Sequence, residues 1–202
     1  MEEKKRTKAE YRSSLRSKKL IREAMVRLMR EKPFEKITIT DIVKEADINR
    51  GTFYAHFKDS GDVLNSIKEN IISELKGAFA GLSPDIALAN PRPLLDSVSE
   101  FVSRDREYYR LLISIDRIKP LVIECKYQAI NYLMSSTLAE RIGQDEARRI
   151  KMVAFIDFIV SAAFDIYCDV LLDKIPLTLE EAPEMLTRAI GMIVRPLSES
   201  IR

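Results

Sequence analysis

Five polar side chains with different hydrogen-bonding chemistry lie close together just after the first quarter of the chain: Arg50, Thr52, Tyr54, His56 and Lys58. Arginine and threonine can hydrogen-bond to base edges, whereas tyrosine, histidine and lysine can contact phosphates. The residue types in this segment therefore favour contact with a nucleic acid.

The single histidine, His56, has three interpretations: a general base, a phosphate contact or a packed ring. A general base needs an orienting partner and a pocket. His56 instead lies on a predicted short helix beside Tyr54, Phe57 and Lys58. The surroundings favour a phosphate contact over catalysis, with packing as the remaining alternative.

Three predicted helices position this segment. Apolar residues recur at helical spacing between 20 and 29, which predicts a first helix over about 17–31, ended by Pro33. The run from Thr38 to Asp41 has the form of a capping box and predicts a second helix over about 39–46. Asn49 can cap a third helix, over about 50–56. Two short helices joined by a tight turn are the helix-turn-helix pattern.

The third helix divides into an inward and an outward side. Phe53 and Phe57 are spaced i, i+4 and are predicted to hold the helix against the first two. Gly51 lets the start of the helix approach a duplex closely, so that its amides can meet a phosphate. Tyr54 could also be a core aromatic, but the two phenylalanines already fill the inward side.

Residues 17–65 resemble the DNA-binding domain of the tetracycline-repressor (TetR/AcrR) family. The motifs that carry the resemblance are Ile37-Thr38-Ile39-Thr40-Asp41-Ile42-Val43 and Ala46-Asp47-Ile48-Asn49-Arg50-Gly51-Thr52-Phe53-Tyr54-Ala55-His56-Phe57. The rest of the chain is similar to the family only in its layout, a larger helical domain for ligand and dimer contacts.

The resemblance implies a role for each outward residue. Tyr54 and His56 would contact the DNA backbone with support from Thr38 and Lys58, while Arg50 and Thr52 would read bases. One departure concerns the start of the fourth helix, where the family commonly has a lysine just after the cap. Here that position is Ser60, followed by Gly61, so Lys58 or the basic N-terminus would have to compensate.

Charge is unevenly distributed along the chain. The formal net charge is +2, but residues 1–60 carry 16 Lys and Arg against 10 Asp and Glu, whereas residues 61–202 carry 17 against 21. A basic end on an acidic body suits a protein that meets a polyanion at one end. Residues 1–16 are predicted to be a flexible basic arm attracted to phosphate, with a merely solubilising tail as the alternative.

Composition indicates an all-α protein. The 202 residues are 46% hydrophobic and 32% charged, with 6 Gly and 8 Pro, and this excludes collagen-like, disordered and membrane-spanning classes. Cys125 and Cys168 lie far apart without a C-x-x-C motif, so neither a disulfide framework nor a zinc site is predicted, and we expect no metal and no cofactor. Inert thiols and a charged N-terminus fit a cytoplasmic protein.

Nine helices and no strand are expected. After the three described above, a fourth begins at the Asp59 cap and ends at Gly81. The residues 82–90 are predicted to be a loop. The remaining helices are expected after Pro91, over 106–113, and over about 120–142, 145–172 and 179–193, the last ending near Pro196. The expected domains are the arm 1–16, a DNA-binding domain 17–65 and a helical domain 66–202.

The segment 145–172 is apolar nearly all round, which predicts burial on more than one side. Together with the segment 179–193 it would form a four-helix interface between two subunits. A monomeric bundle core is the alternative. The expected interface residues are Ala162, Ala163, Tyr167, Leu186, Ala189, Ile190 and Ile193.

The same segment carries one polar stripe, formed by Asp157, Ser161, Asp165 and either Cys168 or Asp169. Its carboxylates could face solvent, pair with cations across the interface or line a pocket for a cationic ligand, since burying them unpaired is costly. Tyrosines suit pocket walls and core edges equally. The candidate effector pocket is Tyr108, Tyr127, Asp157, Ser161 and Asp165.

Two function classes follow. The first is a transcriptional regulator that binds a near-palindromic operator as a homodimer, expected by resemblance to be a repressor, and released by a small-molecule effector. The second is a helical enzyme or lipid-handling protein with an incidental basic N-terminus. The second would need a nucleophile, a metal set or an acid and base pair, and the chain offers only the carboxylate stripe and one histidine.

Overall fold

The computed structural model describes residues 8–137 and 145–200, and within these ranges it contains ten α-helices and no strand. The all-α prediction is therefore confirmed. The helices are α1 Lys8–Glu31, α2 Ile39–Glu45, α3 Arg50–Tyr54, α4 Ser60–Phe79, α5 Pro84–Ala89, α6 Arg92–Ser103, α7 Arg106–Ile113, α8 Lys119–Met134, α9 Glu146–Leu171 and α10 Ala182–Ser200. Short 3-10 turns lie at Phe34–Lys36 and Asp116–Ile118.

The chain divides into two compact units between Ile71 and Ile72, within α4. In the first unit, α1, α2, α3 and the start of α4 surround one small core. Its fully buried side chains are Ile21, Met25, Val26, Ile42, Phe53, Val63 and Ile67. These are the apolar positions of the helical pattern, so burial of one face of each helix stabilises the unit.

The first helix begins at Lys8, nine residues before the predicted start at Ser17. The prediction of a flexible arm is therefore wrong for residues 8–16, and residues 1–7 lie outside the described ranges. The cause is intrinsic propensity, because alanine, glutamate, lysine, arginine and leucine favour a helix even without a buried face. The first buried side chain of α1 is Ile21, so the earlier turns form without packing.

Four other boundaries differ from prediction. The expected loop 82–90 contains α5, whose Pro84 stands in the first turn, where a proline is well tolerated. The helix α8 ends at Met134 and not near Ile142, since it is followed by Ser135, whose hydroxyl donates to the Tyr132 carbonyl at 2.7 Å. Residues 138–142 of that predicted helix lie outside the described ranges.

The last helix, α10, continues through Pro196 to Ser200, although we expected it to end there. Proline removes one backbone hydrogen bond, but its fixed φ is compatible with a helix. The helix α3 ends at Tyr54, two residues earlier than predicted. Gly81 has φ +88 just after α4, as expected of a glycine that ends a helix.

In the second unit, α8 and α9 pack side by side, and α10 packs against α6. A buried hydroxyl pair joins α6, α9 and the segment just before α10. Tyr167 donates to the Leu95 carbonyl at 2.7 Å, Ser99 donates to the Leu179 carbonyl at 2.7 Å, and the two hydroxyl oxygens lie 2.9 Å apart. Burial raises the pKa of Tyr167 to about 12. Its hydroxyl is therefore a neutral hydrogen-bonding group that ties α9 to α6.

Two helices end in the same way, with an aspartate in the left-handed region. Asp47, with φ 51, follows α2, and Asp173, with φ 53, follows α9. In each case the next amide, of Ile48 or Lys174, reaches back to the carbonyl five residues earlier. This is the Schellman arrangement, in which glycine is the usual residue. None of the described helices is long and apolar enough to cross a membrane.

Candidate nucleic-acid interface

The capping box at the start of α2 is formed as predicted. The Asp41 amide donates to the Thr38 hydroxyl at 3.2 Å, and the Thr38 amide donates to the Asp41 carboxylate at 2.8 Å. Lys32, just after α1, pairs with the same carboxylate at 2.7 Å. This lysine and the Thr38 donors hold the pKa of Asp41 well below its usual range. Thr38 is thus fixed at the exposed start of α2.

The start of α3 is fixed by Asn49, whose side-chain oxygen accepts from the Thr52 amide at 2.7 Å. The Thr52 hydroxyl donates to the same oxygen at 3.1 Å. Gly51 leaves room for this cap, because a Cβ there would lie 3.2 Å from the Asn49 oxygen. A glycine at position 51 therefore also favours the Asn49 cap, in addition to the close approach to a duplex that we expected.

The aromatic residues of this segment point in two directions. Phe53 and Phe57 are buried, with ring centroids 6.1 Å apart. Tyr54 is 53% exposed and meets the Phe53 ring edge to face at 5.5 Å. The division into inward phenylalanines and an outward tyrosine is as predicted, and it leaves the tyrosine hydroxyl accessible.

The other predicted contact residues of this segment lie within four positions of Tyr54 in sequence, and they differ in how exposed they are. Arg50 and Lys58 are exposed, whereas Thr52 and His56 are half-buried. Thr52 already donates its hydroxyl to Asn49, so only its lone pairs and its methyl group remain for a base edge. Sequence reasoning missed this local use of the hydroxyl, although a threonine three residues after an asparagine cap is a visible signal.

A second reciprocal cap begins α4. The Asp62 amide donates to Asp59 at 2.9 Å, and the Lys58 amide donates to Asp62 at 3.0 Å. A Cβ at Gly61 would lie 3.1 Å from the Asp59 carboxylate oxygen. The departure from the TetR pattern at Ser60 and Gly61 thus places a tight, acidic cap at the start of the helix. Lys58, two residues before Ser60, is an exposed cation.

The sequence profile of bacterial regulatory proteins, tetR family, matches residues 21–67, which include α2, α3 and both caps. Over these residues the N-terminal unit is similar to the tetR family. The matched segment is close to the 17–65 that we identified from the motifs.

Relatives of known sequence match over the same region. A Bacillus subtilis (strain 168) HTH-type transcriptional regulator, YvdT, is 34% identical over 65 residues, 30% of this chain and 34% of that protein. The HTH-type dhaKLM operon transcriptional activator DhaS of Lactococcus lactis is 36% identical over 62 residues, 31% of this chain and 33% of that protein. The chain thus matches about a third of the length of these relatives.

Solved structures extend the likeness to the whole fold. A TetR/AcrR-family transcriptional regulator from Aquifex aeolicus VF5 aligns with a TM-score of 0.58 and 19% identity over 88% of this chain and 99% of that one. The dihydroxyacetone kinase operon activator DhaS aligns with a TM-score of 0.55 and 17% identity over 90% and 96%. At these identities the comparison establishes the fold of the second unit and not its ligand.

Outside the N-terminal unit, the predicted effector residues are not gathered around one described cavity. Tyr127 is 57% exposed, Asp157 is exposed, and Tyr108 packs its ring against Tyr109. A cavity of about 710 Å³ lies elsewhere in this unit and is open to solvent. Its lining residues are Ser103, Arg106 and residues 173–180. The effector pocket stays a prediction.

The polar stripe of α9 faces solvent and cations of its own chain. Asp165 is exposed and pairs with Lys126 of α8 at 2.9 Å, and Asp169 pairs with Lys174 at 3.1 Å. Cys168 is half-buried, and burial raises the pKa of its thiol. Cys125 is buried, which raises the pKa of its thiol to about 12 and fits an unreactive thiol.

The predicted interface residues fall into two groups. Ala162 and Ile193 are exposed, and Ala163, Ala189 and Ile190 are half-buried. Tyr167 and Leu186 are buried inside their own unit, which places them in its core and corrects their assignment to a surface. A helix that is apolar all round gives no sequence signal for which apolar side faces inward.

Several large apolar side chains that we did not single out are exposed on α9 and α10. Ile150, Ala154, Phe158 and Ala162 lie along one side of α9 and form what we call the exposed apolar face, and Met192 is exposed on α10. Phe158 is 58% and Met192 70% exposed. The i, i+4 spacing from Ile150 to Ala162 places these residues along one side of α9.

Proposed function

We propose that this chain is a DNA-binding transcriptional regulator. The observation that carries the proposal is the construction of α3 within a tetR-family unit. Exposed Arg50 and Tyr54 are held outward by buried Phe53 and by the Asn49 cap. A rigid helix with these side chains can enter a major groove and read base edges from its first turn.

We infer that the regulator acts as a homodimer. One recognition helix of five residues offers few base contacts, and two-fold symmetry is the usual remedy. The exposed apolar face on α9 supports this, because a row of exposed apolar side chains marks an interaction site. A second copy would place the same face against itself, as a two-fold axis requires. The operator would then be near-palindromic.

Repression in the cytoplasm, by occupying a promoter, is the mode that we propose, with release by a small molecule bound to the second unit. The related DhaS is named an activator, so the direction of regulation needs its own measurement. A reporter driven by the chain's own operator should rise when the protein is deleted. A fall on deletion would contradict repression while leaving DNA binding intact. Release is tested by adding the small-molecule fraction of a cell extract to the protein–operator complex.

DNA binding itself is tested by selecting bound duplexes from a random-sequence pool with the full-length protein. We expect enrichment of a near-palindromic sequence with half-sites about one helical turn apart. The double variant Arg50→Ala with Tyr54→Ala should select nothing. The matched control Arg104→Ala with Ile86→Ala removes an exposed cation and an exposed large side chain from the other unit, and should select the wild-type sequence. A pool that remains random with wild-type protein would contradict the proposal.

A further inference from the structure

The first turns of α1 project beyond the core of the N-terminal unit. No described side chain between Tyr11 and Leu20 is buried, and Ile21 is the first that is. The residues 8–19 nevertheless continue α1 without a break, over about 18 Å at the rise of an α-helix. The chain therefore presents a rigid, exposed extension.

The extension is strongly basic along one side. Arg12, Arg16 and Lys19 are exposed and follow each other at i, i+4 and i+7, which places them on one face of the helix. Of the three, Lys19 takes part in a described ion pair, with Glu23, and its N–O distance of 3.5 Å is long. The guanidinium groups of Arg12 and Arg16 take part in no ion pair within the described ranges, so their charge is available to an anion.

Two ion pairs fix the direction in which the extension projects. Lys32 pairs with Asp41 near the start of α2, whereas Arg27 pairs with Glu45 at the end of α2. Moving backwards along α1 thus corresponds to moving forwards along α2, so the two helices run antiparallel. The extension lies on the side where α2 ends and the turn leads into α3.

We propose that this extension, through Arg12, Arg16 and Lys19, binds the phosphates of the DNA that flanks each operator half-site. The inference rests on the proposed function. It adds a contact outside the helix-turn-helix, made by a helix that is already ordered, so the contacted phosphates lie at a fixed distance from the base pairs that α3 reads. The contact strengthens binding without reading sequence.

A membrane surface is the competing partner, because the extension also exposes Tyr11 and Leu15 at i, i+4. These are two apolar side chains in the described part, and interfacial helices bury a continuous apolar side. The direction of the extension, towards the start of α3, favours DNA.

The test uses full-length protein and a duplex that the protein itself has selected from random DNA, with and without flanking base pairs. The triple variant Arg12→Gln, Arg16→Gln, Lys19→Gln keeps good helix formers. A matched control, Lys76→Gln, Arg104→Gln, Lys119→Gln, makes the same charge change at exposed positions of the other unit. The measured quantities are the slope of log affinity against log salt and the hydroxyl-radical footprint.

For the triple variant we expect the slope to fall by about 2.7 per subunit, or about 5 for a dimer, if each cation releases one phosphate counterion. Its footprint should shrink at both outer ends, and the selected sequence should be unchanged. The control variant should match wild type.

An unchanged slope and footprint in the triple variant would overturn the inference while wild-type operator binding upholds the proposed function. Failure of wild-type protein to select any sequence would instead remove the proposed function. Loss of binding to anionic phospholipid vesicles, with an unchanged DNA slope, would assign the extension to a membrane and also overturn the inference.

Discussion

Nη1 of Arg110 lies 2.6 Å from the carboxylate of Asp173, the left-handed residue that ends α9. Nη2 of Arg106, one turn earlier on α7, reaches the same carboxylate at 2.8 Å. Two arginines of one helix thus hold a residue at a position where glycine would be less strained. Asp47 has nearly the same φ but no ion pair within the described ranges. Comparing the two aspartates therefore distinguishes the free-energy cost of the left-handed conformation from the stability that the ion pairs contribute.

Replacing each aspartate by glycine should give different results. Asp47→Gly should raise the free energy of unfolding by about 0.5 to 1 kcal/mol, because it relieves the left-handed conformation. Asp173→Gly should raise the free energy of unfolding by about 0.5 to 2 kcal/mol less than Asp47→Gly does, because it also removes two half-exposed ion pairs. Urea unfolding of both variants measures the difference. Equal gains would mean that the arginines contribute nothing to stability.

Acid should weaken the link between Lys32 and Asp41. The folded protein holds the pKa of Asp41 below its value of about 3.9 in an unfolded chain. The ionised carboxylate therefore contributes stability above about pH 4, and the contribution is lost as the pH falls towards the folded pKa. The gap in melting temperature between wild type and Asp41→Asn should be widest near neutral pH and should close under acid. Lys32→Gln should narrow the gap in the same way, and a constant gap would contradict the assignment.

Arg50 and Tyr54 should affect DNA recognition differently. Arg50→Ala should cost about 1 to 3 kcal/mol at one base pair of each half-site and relax the sequence preference there. Tyr54→Phe keeps the exposed ring but removes the hydroxyl, so it should weaken binding to all sequences by a similar factor. Selection from random DNA with each variant distinguishes the two effects. An unchanged preference for the Arg50 variant would show that another residue reads that base pair.

Ala162→Arg should split the dimer and abolish operator binding. Ala162 is exposed, so the substitution leaves the subunit core intact, but it places an unpaired cation in the exposed apolar face. Ala89→Arg makes the same change at an exposed position of α5 and should remain dimeric. Sedimentation and a DNA shift assay on the same samples test both steps. A dimeric Ala162 variant would place the subunit contact elsewhere, and a monomer with wild-type affinity would refute the need for symmetry.

Much of the candidate interface could be predicted because its geometry is local. The caps at Thr38 and Asn49 depend on residues three positions away, and such spacing is visible in a sequence. Phe53 and Phe57 follow from helical period in the same way. The hydroxyl of Thr52 was harder to assign, because it could donate either to a base edge or to its own cap.

The predictions were wrong where a helix begins without buried residues and where packing between helices decides which side chains are buried. The start of α1 at Lys8 and the helix at Pro84 have no buried stripe in their first turns, so periodicity gave no signal there. Along α9, Tyr167 and Phe158 both belong to an apolar sequence, yet one is buried and the other exposed. Which apolar side faces inward depends on how α9 packs against α7, α8 and α10, and the pattern within α9 does not show this.

The buried hydroxyls of Ser99 and Tyr167 have fewer hydrogens than the short oxygen–oxygen contacts that they make. Each hydroxyl has one hydrogen, but the pair makes three contacts of 2.9 Å or less, to two carbonyls and to each other. At any moment one of the three contacts therefore has no hydrogen between its oxygens. When Tyr167 and Ser99 both donate to carbonyls, the contact between their own oxygens is the one without a hydrogen, and either hydroxyl can turn to donate across it without moving a heavy atom.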